Sequence, residues 1–434
     1  MKYKKPKTLK KETIGIIGLG YVGLPLALEF GKKFKVIGYD SDKSRILGLK
    51  KNFDKTFEIR KKEFRRSKKL SFTNNDEDLN NCNIFIIAVP TPINKKKKPD
   101  LTHLKKASIL VGKKLKKNDL VIFESTIYPG GTEKFCIPLL NKYSNLKVNN
   151  DYSVGYSPER ISPGDKKRKL TKIIKIVSGS NSKALLKVSK LYKTVIKAGI
   201  YRTSSIKTAE ASKIVENVQR DINISLMNEL SLIFSKLNID TCDVLKAAKT
   251  KWNFVNFKPG LVGGHCISVD PYYLKSTAET KGYHPYLISS GRKINENMGN
   301  FIVNKLIKKT KKENKKKNFK VGIMGITFKE NCSDTRNSQI LKIIKHLKKN
   351  KIRTIIADPK VDPDEMNKKY KLKVVRKINK KVNALIIAVA HREFSKLKLN
   401  YFKKILKKER LIFDIKSILN KNKFEKQNFK IWRL

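Results

Sequence analysis

Two stretches of this chain, one near each end, run through the same succession of short apolar segments, and that repeat narrows the fold more than any other feature. The first stretch opens with Thr13-Ile14-Gly15-Ile16-Ile17-Gly18. It continues through Val36-Ile37-Gly38-Tyr39-Asp40, Asn83-Ile84-Phe85-Ile86-Ile87-Ala88-Val89 and Leu120-Val121-Ile122-Phe123-Glu124-Ser125. The second opens with Val321-Gly322-Ile323-Met324-Gly325. It continues through Thr354-Ile355-Ile356-Ala357-Asp358, Asn383-Ala384-Leu385-Ile386-Ile387-Ala388-Val389 and Leu411-Ile412-Phe413-Asp414-Ile415-Lys416-Ser417. Short continuous runs rich in β-branched residues are the pattern of strands buried on both faces of a parallel sheet. Stretches with helical character separate them, so each end reads as a doubly wound α/β domain.

The texture between them differs. From Ser205 to Leu237 there is no Gly or Pro, and apolar residues recur at three- and four-residue spacing, which predicts one long helix. The lysine-rich stretch Lys308–Lys317 reads as a linker into the last domain. The expected layout is an N-terminal domain over 1–203, a central helical region over 204–310 and a C-terminal domain over 311–434. The fold class is α/β: two Rossmann-like doubly wound domains joined by a long central helix. A chain of 434 residues fits two or three domains at roughly 100–200 residues each.

The formal charge of +62 raises the question of nucleic-acid binding. Three features argue against it. Lys outnumbers Arg, although Arg is the better fork for phosphates and base edges. The lysines are spread over nearly every segment, and no zinc-finger, RNP or basic-zipper pattern is present. A solvated lysine surface whose field helps capture an anionic substrate is the simpler reading, with no nucleic-acid partner. The five cysteines, Cys82, Cys136, Cys242, Cys266 and Cys332, are widely spaced and include no C-x-x-C, so neither a disulfide framework nor a metal site is expected. Reduced thiols and a polar segment from Met1 to Glu12 that lacks a signal-peptide core point to the cytoplasm. No run approaches the length of apolar chain that membrane insertion needs.

Gly18-Leu19-Gly20-Tyr21-Val22-Gly23 is a G-x-G-x-x-G. It follows a predicted strand and opens a predicted helix, and about 20 residues further on Asp40 closes the next strand, which is the dinucleotide fingerprint. The glycines let the backbone approach a pyrophosphate, and the helix N-terminus faces its charge. Asp40 would accept from the adenosine ribose hydroxyls and repel a 2′-phosphate, which favours NAD over NADP as the expected cofactor. The C-terminal domain keeps Gly322 and Gly325 without the third glycine, which leaves room for a smaller nucleotide and not for a second dinucleotide.

Gly263-Gly264-His265-Cys266-Ile267-Ser268-Val269-Asp270-Pro271 is the most specific segment. A cysteine on a glycine-rich turn is accessible and near backbone donors, a setting that favours the thiolate nucleophile. Asp270, four residues on, is placed to orient a water or move a proton. The other four cysteines read as small buried hydrophobes. Lys213 and Asn217 share one face of the predicted long helix. Unaided, that pair is a solvated helix face, although it also suits a developing oxyanion.

Taken in order, these segments resemble the UDP-glucose/UDP-N-acetylmannosamine dehydrogenase family. The likeness runs from about Ile14 to Ser417. It adds Val89-Pro90-Thr91-Pro92, Glu124-Ser125-Thr126, Ser157-Pro158-Glu159-Arg160 and Phe328-Lys329…Asp334-Thr335-Arg336 to the motifs above. The resemblance implies two successive hydride transfers to NAD, with Cys266 as covalent nucleophile. It further implies that Lys213 and Asn217 stabilise oxyanions, that Asp270 and Thr126 handle protons, and that Glu159 positions substrate or water. The cofactor contacts it implies are Gly18, Gly20, Tyr21, Val22, Gly23, Asp40, Arg45, Thr91, Thr126 and Arg336. The substrate contacts are Glu159, Arg160, Lys213, Asn217, Lys258, Gly263 and Lys329. A UDP-binding C-terminal domain and a homodimer built on the central helix are implied as well.

Where the glucose-oxidising branch has a lysine before Ser-Thr, this chain has Glu124. Where that branch has a second glutamate, it has Pro163, and where that branch has a lysine before the catalytic aspartate, it has Val269. These departures resemble the branch that oxidises UDP-N-acetylhexosamines for surface polysaccharides, and the expected substrate is UDP-N-acetylglucosamine. UDP-N-acetylmannosamine and UDP-glucose are the alternatives. A two-electron dehydrogenase sharing the fold would have no use for Cys266, and a basic binding protein would turn over no sugar.

Overall fold

The computed structural model describes residues 12–165, 167–310 and 319–434. The polar N-terminal segment up to residue 11 and most of the expected linker, 311–317, lie outside the described residues. Lys308 and Lys309 close the helix Tyr286–Lys309. Contacts group the chain into two compact units, one formed by 1–216 with 272–283 and the other by 217–271 with 284–434.

The first unit holds strands β1 (Thr13–Ile17), β2 (Lys35–Tyr39), β3 (Leu70–Thr73), β4 (Ile84–Ile87), β5 (Leu120–Phe123), β6 (Ser153–Tyr156), β7 (Lys175–Gly179) and β8 (Ile200–Arg202). They form one sheet in the order β3-β2-β1-β4-β5-β6-β7-β8. Every pair is parallel except β6 with β7. Alternate residues of each strand enter opposite cores. Ile14, Ile16, Ile84, Ile86 and Ile122 pack on one face, and Ile17, Phe85, Ile87, Val121 and Phe123 on the other. That two-sided burial is why the sequence shows continuous apolar runs and no alternation.

The second unit repeats the plan with β9 (Lys320–Met324), β10 (Arg353–Ala357), β11 (Val374–Val375), β12 (Val382–Ile387), β13 (Leu406–Asp414) and β14 (Lys430–Arg433), in the order β11-β10-β9-β12-β13-β14. Within each sheet the order reverses beside the first strand, between β1 and β4 and between β9 and β12. Such switch points open ligand crevices at the carboxyl ends of the strands. The repeat extends to single side chains. Asn83 accepts from the Thr13 N–H at 2.9 Å, and Asn383 accepts from the Lys320 N–H at 3.0 Å.

The long helix runs from Ile206 to Leu237, as the spacing predicts. The unaided reading of Lys213 and Asn217 as a solvated face is corrected. Lys213 is 6% exposed and Asn217 is fully buried. Cys82, Cys136 and Cys332 are buried as expected, whereas Cys242 is half-buried, its sulfur 3.0 Å from the Ser417 hydroxyl.

Candidate active site

In the first unit the turn after β1 is built for close approach. Gly18 has φ +91°, a backbone that side chains rarely adopt, and a Cβ on Gly23 would stand 1.8 Å from the Gly18 carbonyl oxygen. A Cβ on Gly20 would meet nothing within 4 Å. The helix Gly23–Phe30 that follows has no side-chain cap at its N-terminus. Asp40 closes the crevice: one carboxylate oxygen accepts from the Leu19 N–H at 2.9 Å, the other from the Asp42 N–H at 3.0 Å. Neither oxygen is saturated by one donor, so both retain capacity for hydroxyls. Open space at Gly20, an uncapped helix N-terminus and a half-buried carboxylate fit NAD.

Tyr21 and Val22 are half-buried on this turn. Arg45 lies beneath it: its guanidinium donates twice to the Leu19 carbonyl, at 3.0 and 2.8 Å, and once to Asp54 at 2.7 Å. Here Arg45 braces the loop from below. The Thr91 carbonyl accepts from the Tyr273 hydroxyl at 3.0 Å. Thr126 is half-buried just past β5, where its neighbour Ser125 donates to the Val89 carbonyl at 2.8 Å.

The same unit brings Glu159 and Lys213 together. The Lys213 ammonium donates to the Glu159 carbonyl at 2.6 Å, and both residues are buried. Burial holds the Glu159 carboxyl above its ordinary value, a rise that the positive charges of Lys213 and Lys175 oppose. Arg160 pairs with Glu216 at 2.8 Å and donates to the Ile174 carbonyl at 3.0 Å. Glu210, on the long helix, accepts from the Gly130 and Thr132 N–H groups at 2.5 and 2.8 Å and so holds the chain that follows Thr126. Burial pushes its carboxyl up to about 7.

In the second unit Gly264, with φ +87°, makes the turn into Cys266, which is half-buried. The Cys266 carbonyl accepts from the Val269 and Asp270 N–H groups at 3.0 and 2.8 Å, so the thiol sits where a helical turn begins. Asn217 is fixed at both ends of its amide. It donates to the Asp270 carboxylate at 2.5 Å and accepts from Arg220. A second N–H of that amide remains to meet an oxyanion.

His265 accepts from Arg336 at 2.9 Å, and Arg336 forks onto Asp334, its nearest contact at 2.7 Å. Burial and the Arg336 charge push the His265 pKa down to about 4, so the ring is neutral near pH 7. The Phe328-Lys329 loop packs on the glycines. A Cβ on Gly263 would lie 3.2 Å from the Phe328 Cβ. Lys329 is half-buried and Lys258 exposed.

Three supports escaped the sequence. Asn228 mimics a peptide, donating to the Gly260 carbonyl at 3.0 Å and accepting from the Gly260 N–H at 2.8 Å, and so fixes the approach to Gly263. Lys175 and Glu124 form a buried ion pair. In the second sheet Asp358 takes the place that Asp40 has in the first, but it is 1% exposed. It already accepts from the Ile326 N–H at 2.7 Å and lies 3.1 Å from His391. So buried, Asp358 does not present a half-exposed carboxylate as Asp40 does. Among the described residues no cluster of His, Cys, Asp and Glu could hold a metal ion, and no helix is long and apolar enough to cross a membrane.

Comparison with known proteins agrees with this geometry. Three domain profiles of the UDP-glucose/GDP-mannose dehydrogenase family match in order: the NAD binding domain at 12–196, the central domain at 207–297 and the UDP binding domain at 322–421. The chain is 47% identical over 417 residues to the UDP-N-acetyl-D-glucosamine 6-dehydrogenase of Pseudomonas aeruginosa, covering 96% of this chain and 99% of that one. It is 48% identical over 408 residues to the enzyme of the same name from Salmonella typhi, covering 94% and 96%. A solved UDP-D-ManNAc dehydrogenase from Pyrococcus horikoshii superimposes with a TM-score of 0.84 at 33% identity, covering 94% of this chain and 96% of that one. This chain belongs to the UDP-glucose/GDP-mannose dehydrogenase family.

Proposed function

We propose that this chain oxidises the C6 alcohol of a UDP-N-acetylhexosamine, UDP-N-acetylglucosamine foremost, to the corresponding uronate through a thioester on Cys266. The observation that carries the mechanism is the Gly263–Asp270 turn: a thiol on a glycine bend, with a buried carboxylate locked to Asn217 four residues further on. The relatives named for UDP-N-acetyl-D-glucosamine support the choice of sugar. Bound NAD supplies one thing, acceptance of a hydride from C6, once for each of two oxidations.

The rest falls to the chain. Asp270 takes the proton of the C6 hydroxyl, directly or through a water held by Thr126. The Cys266 sulfur adds to the aldehyde carbon, and the alkoxide formed is met by the Lys213 ammonium and the free Asn217 N–H. Loss of the remaining C6 hydride from this thiohemiacetal leaves a thioester, so the aldehyde is never released. A water, deprotonated by the Glu159 carboxylate or by Asp270, attacks the thioester carbon and expels the thiolate. Alcohol and water have then become carboxylate, two hydrides and three protons. Arg160, Lys258, Gly263 and Lys329 hold the UDP-sugar, with the 311–434 domain taking UDP. Tyr21, Val22, Asp40, Thr91 and Arg336 hold NAD, as Arg45 does through the loop.

A homodimer built on the long helix is part of the proposal. Leu226, Ile233 and Leu237 are 49%, 47% and 61% exposed on it, an apolar face suited to a second copy. Five cysteines, none of them in a disulfide, suit a reducing compartment, the cytoplasm. The test of the mechanism is Cys266→Ala. Uronate formation is lost while NAD affinity is unchanged; undiminished uronate output removes the thioester.

A further inference from the structure

Behind the Glu159 turn lies a set of buried charges that the mechanism above does not use. Lys175, on β7, is 3% exposed, and Glu124, just past β5, is 2% exposed. The Lys175 ammonium sits 2.5 Å from the Glu124 carboxylate and 3.1 Å from the Pro158 carbonyl oxygen. It also lies 5.3 Å over the ring of Tyr192, whose hydroxyl donates to the other oxygen of Glu124. The next carbonyl along the turn, that of Glu159, receives the Lys213 ammonium at 2.6 Å. Two consecutive carbonyls, Pro158 and Glu159, are thus each gripped by a buried ammonium. Burying a charge is costly unless it is paired, and a salt bridge in the interior is weak ground for stability by itself. A pair placed here is better explained by what it does to the residue it surrounds.

We propose that Lys175, locked against Glu124 and Tyr192, is a positioning residue for the reaction: its ammonium grips the Pro158 carbonyl and so fixes the turn that carries Glu159. The charged groups that act on Glu159 come from three elements. Lys213 on the long helix and Lys175 on β7 favour the carboxylate, and Glu124 past β5 opposes it. The Arg160–Glu216 pair lies next to the turn and is neutral as a pair. Glu124 and Lys175 therefore act on Glu159 with opposite signs, and a structural role alone predicts no such opposition. The proposal rests on the reading of Glu159 as the group that activates the hydrolytic water.

The test is the acid limb of the kcat–pH profile in Lys175→Met, Glu124→Gln and the double variant. Loss of the Lys175 charge moves the midpoint up by about 1 unit, the scale of a neighbouring opposite charge. Loss of the Glu124 charge moves it down; glutamine keeps a carbonyl oxygen for the Lys175 ammonium and turns an N–H toward the Tyr192 hydroxyl oxygen, and a thermal melt checks that each variant is folded. The double variant returns most of the way to the original midpoint. Superimposed acid limbs in the unaltered chain and Glu124→Gln overturn the proposal, whatever happens to kcat itself. The underlying reading is checked separately by the NADH-to-sugar ratio of the unaltered chain. A ratio of two with coincident limbs refutes only the role of Lys175.

Discussion

An alanine at Gly20 and an alanine at Gly23 each add one methyl to the same loop, and their consequences separate. At Gly23 the new carbon would stand 1.8 Å from the Gly18 carbonyl oxygen, where ordinary contact begins at 3.4 Å, so helix and strand must part by about 1.6 Å. Overpacking of this kind costs about 1–3 kcal/mol. A unit of this size loses roughly 2–4 °C of melting temperature per kcal/mol, so at the upper cost the drop is about 6–12 °C. At Gly20 the methyl enters open space, and the fold changes by less than about 0.5 kcal/mol. That space is the path assigned to the pyrophosphate, however. The same overpacking cost, now charged to binding, weakens NAD by about 5- to 150-fold. Thermal melts paired with calorimetric titration of NAD read both variants. An unchanged NAD affinity in Gly20→Ala, or an unchanged melt in Gly23→Ala, would refute the assignment of the loop.

Further outcomes follow from the same geometry. Asp40→Ala and Asp40→Asn both weaken NAD, alanine the more because asparagine keeps an acceptor for the Leu19 N–H; affinities equal to that of the unaltered chain, by titration, would leave the carboxylate without a ribose to hold. Arg336→Ala removes a cation that disfavours the charged ring, so the His265 pKa rises from about 4 toward its ordinary value; an unmoved imidazole NMR titration would contradict this. Glu210, with its carboxyl raised to about 7, binds its proton more tightly in the folded chain than in the unfolded one. Its contribution to stability is therefore full below the ordinary glutamate value and is lost as pH rises toward 7. Relative to Glu210→Gln, the unaltered chain loses stability across that window; parallel stability–pH curves would contradict the burial of that charge.

Much of the fold was legible because parallel strands write themselves as continuous apolar runs. The eight segments picked out, from Ile14 to Asp414, all fall on strands β1, β2, β4, β5, β9, β10, β12 and β13. Strands β3, β6 to β8, β11 and β14 lie outside those segments: Ser and Gly interrupt Ser153–Tyr156, Ser and Thr interrupt Leu70–Thr73, and Val374–Val375 and Ile200–Arg202 are two and three residues long. The long helix was readable from the lack of breakers, but which of its faces is buried was not. Lys213 and Asn217 look like surface residues until tertiary neighbours close over them. Glycine turns carry their own signal at Gly18–Gly23 and Gly263–Gly264, because geometry restricts the residue type. The supporting residues carry none. Lys175, Glu124, Asn228 and Arg45 acquire their roles only through partners from 9 to 68 residues away.

The most direct test of the central claim counts NADH against sugar. With UDP-N-acetylglucosamine as the sole sugar, two NADH per molecule consumed, with uronate as the only sugar product, is the result expected of two oxidations joined by a Cys266 thioester. One NADH per sugar, with free aldehyde in solution, would contradict it.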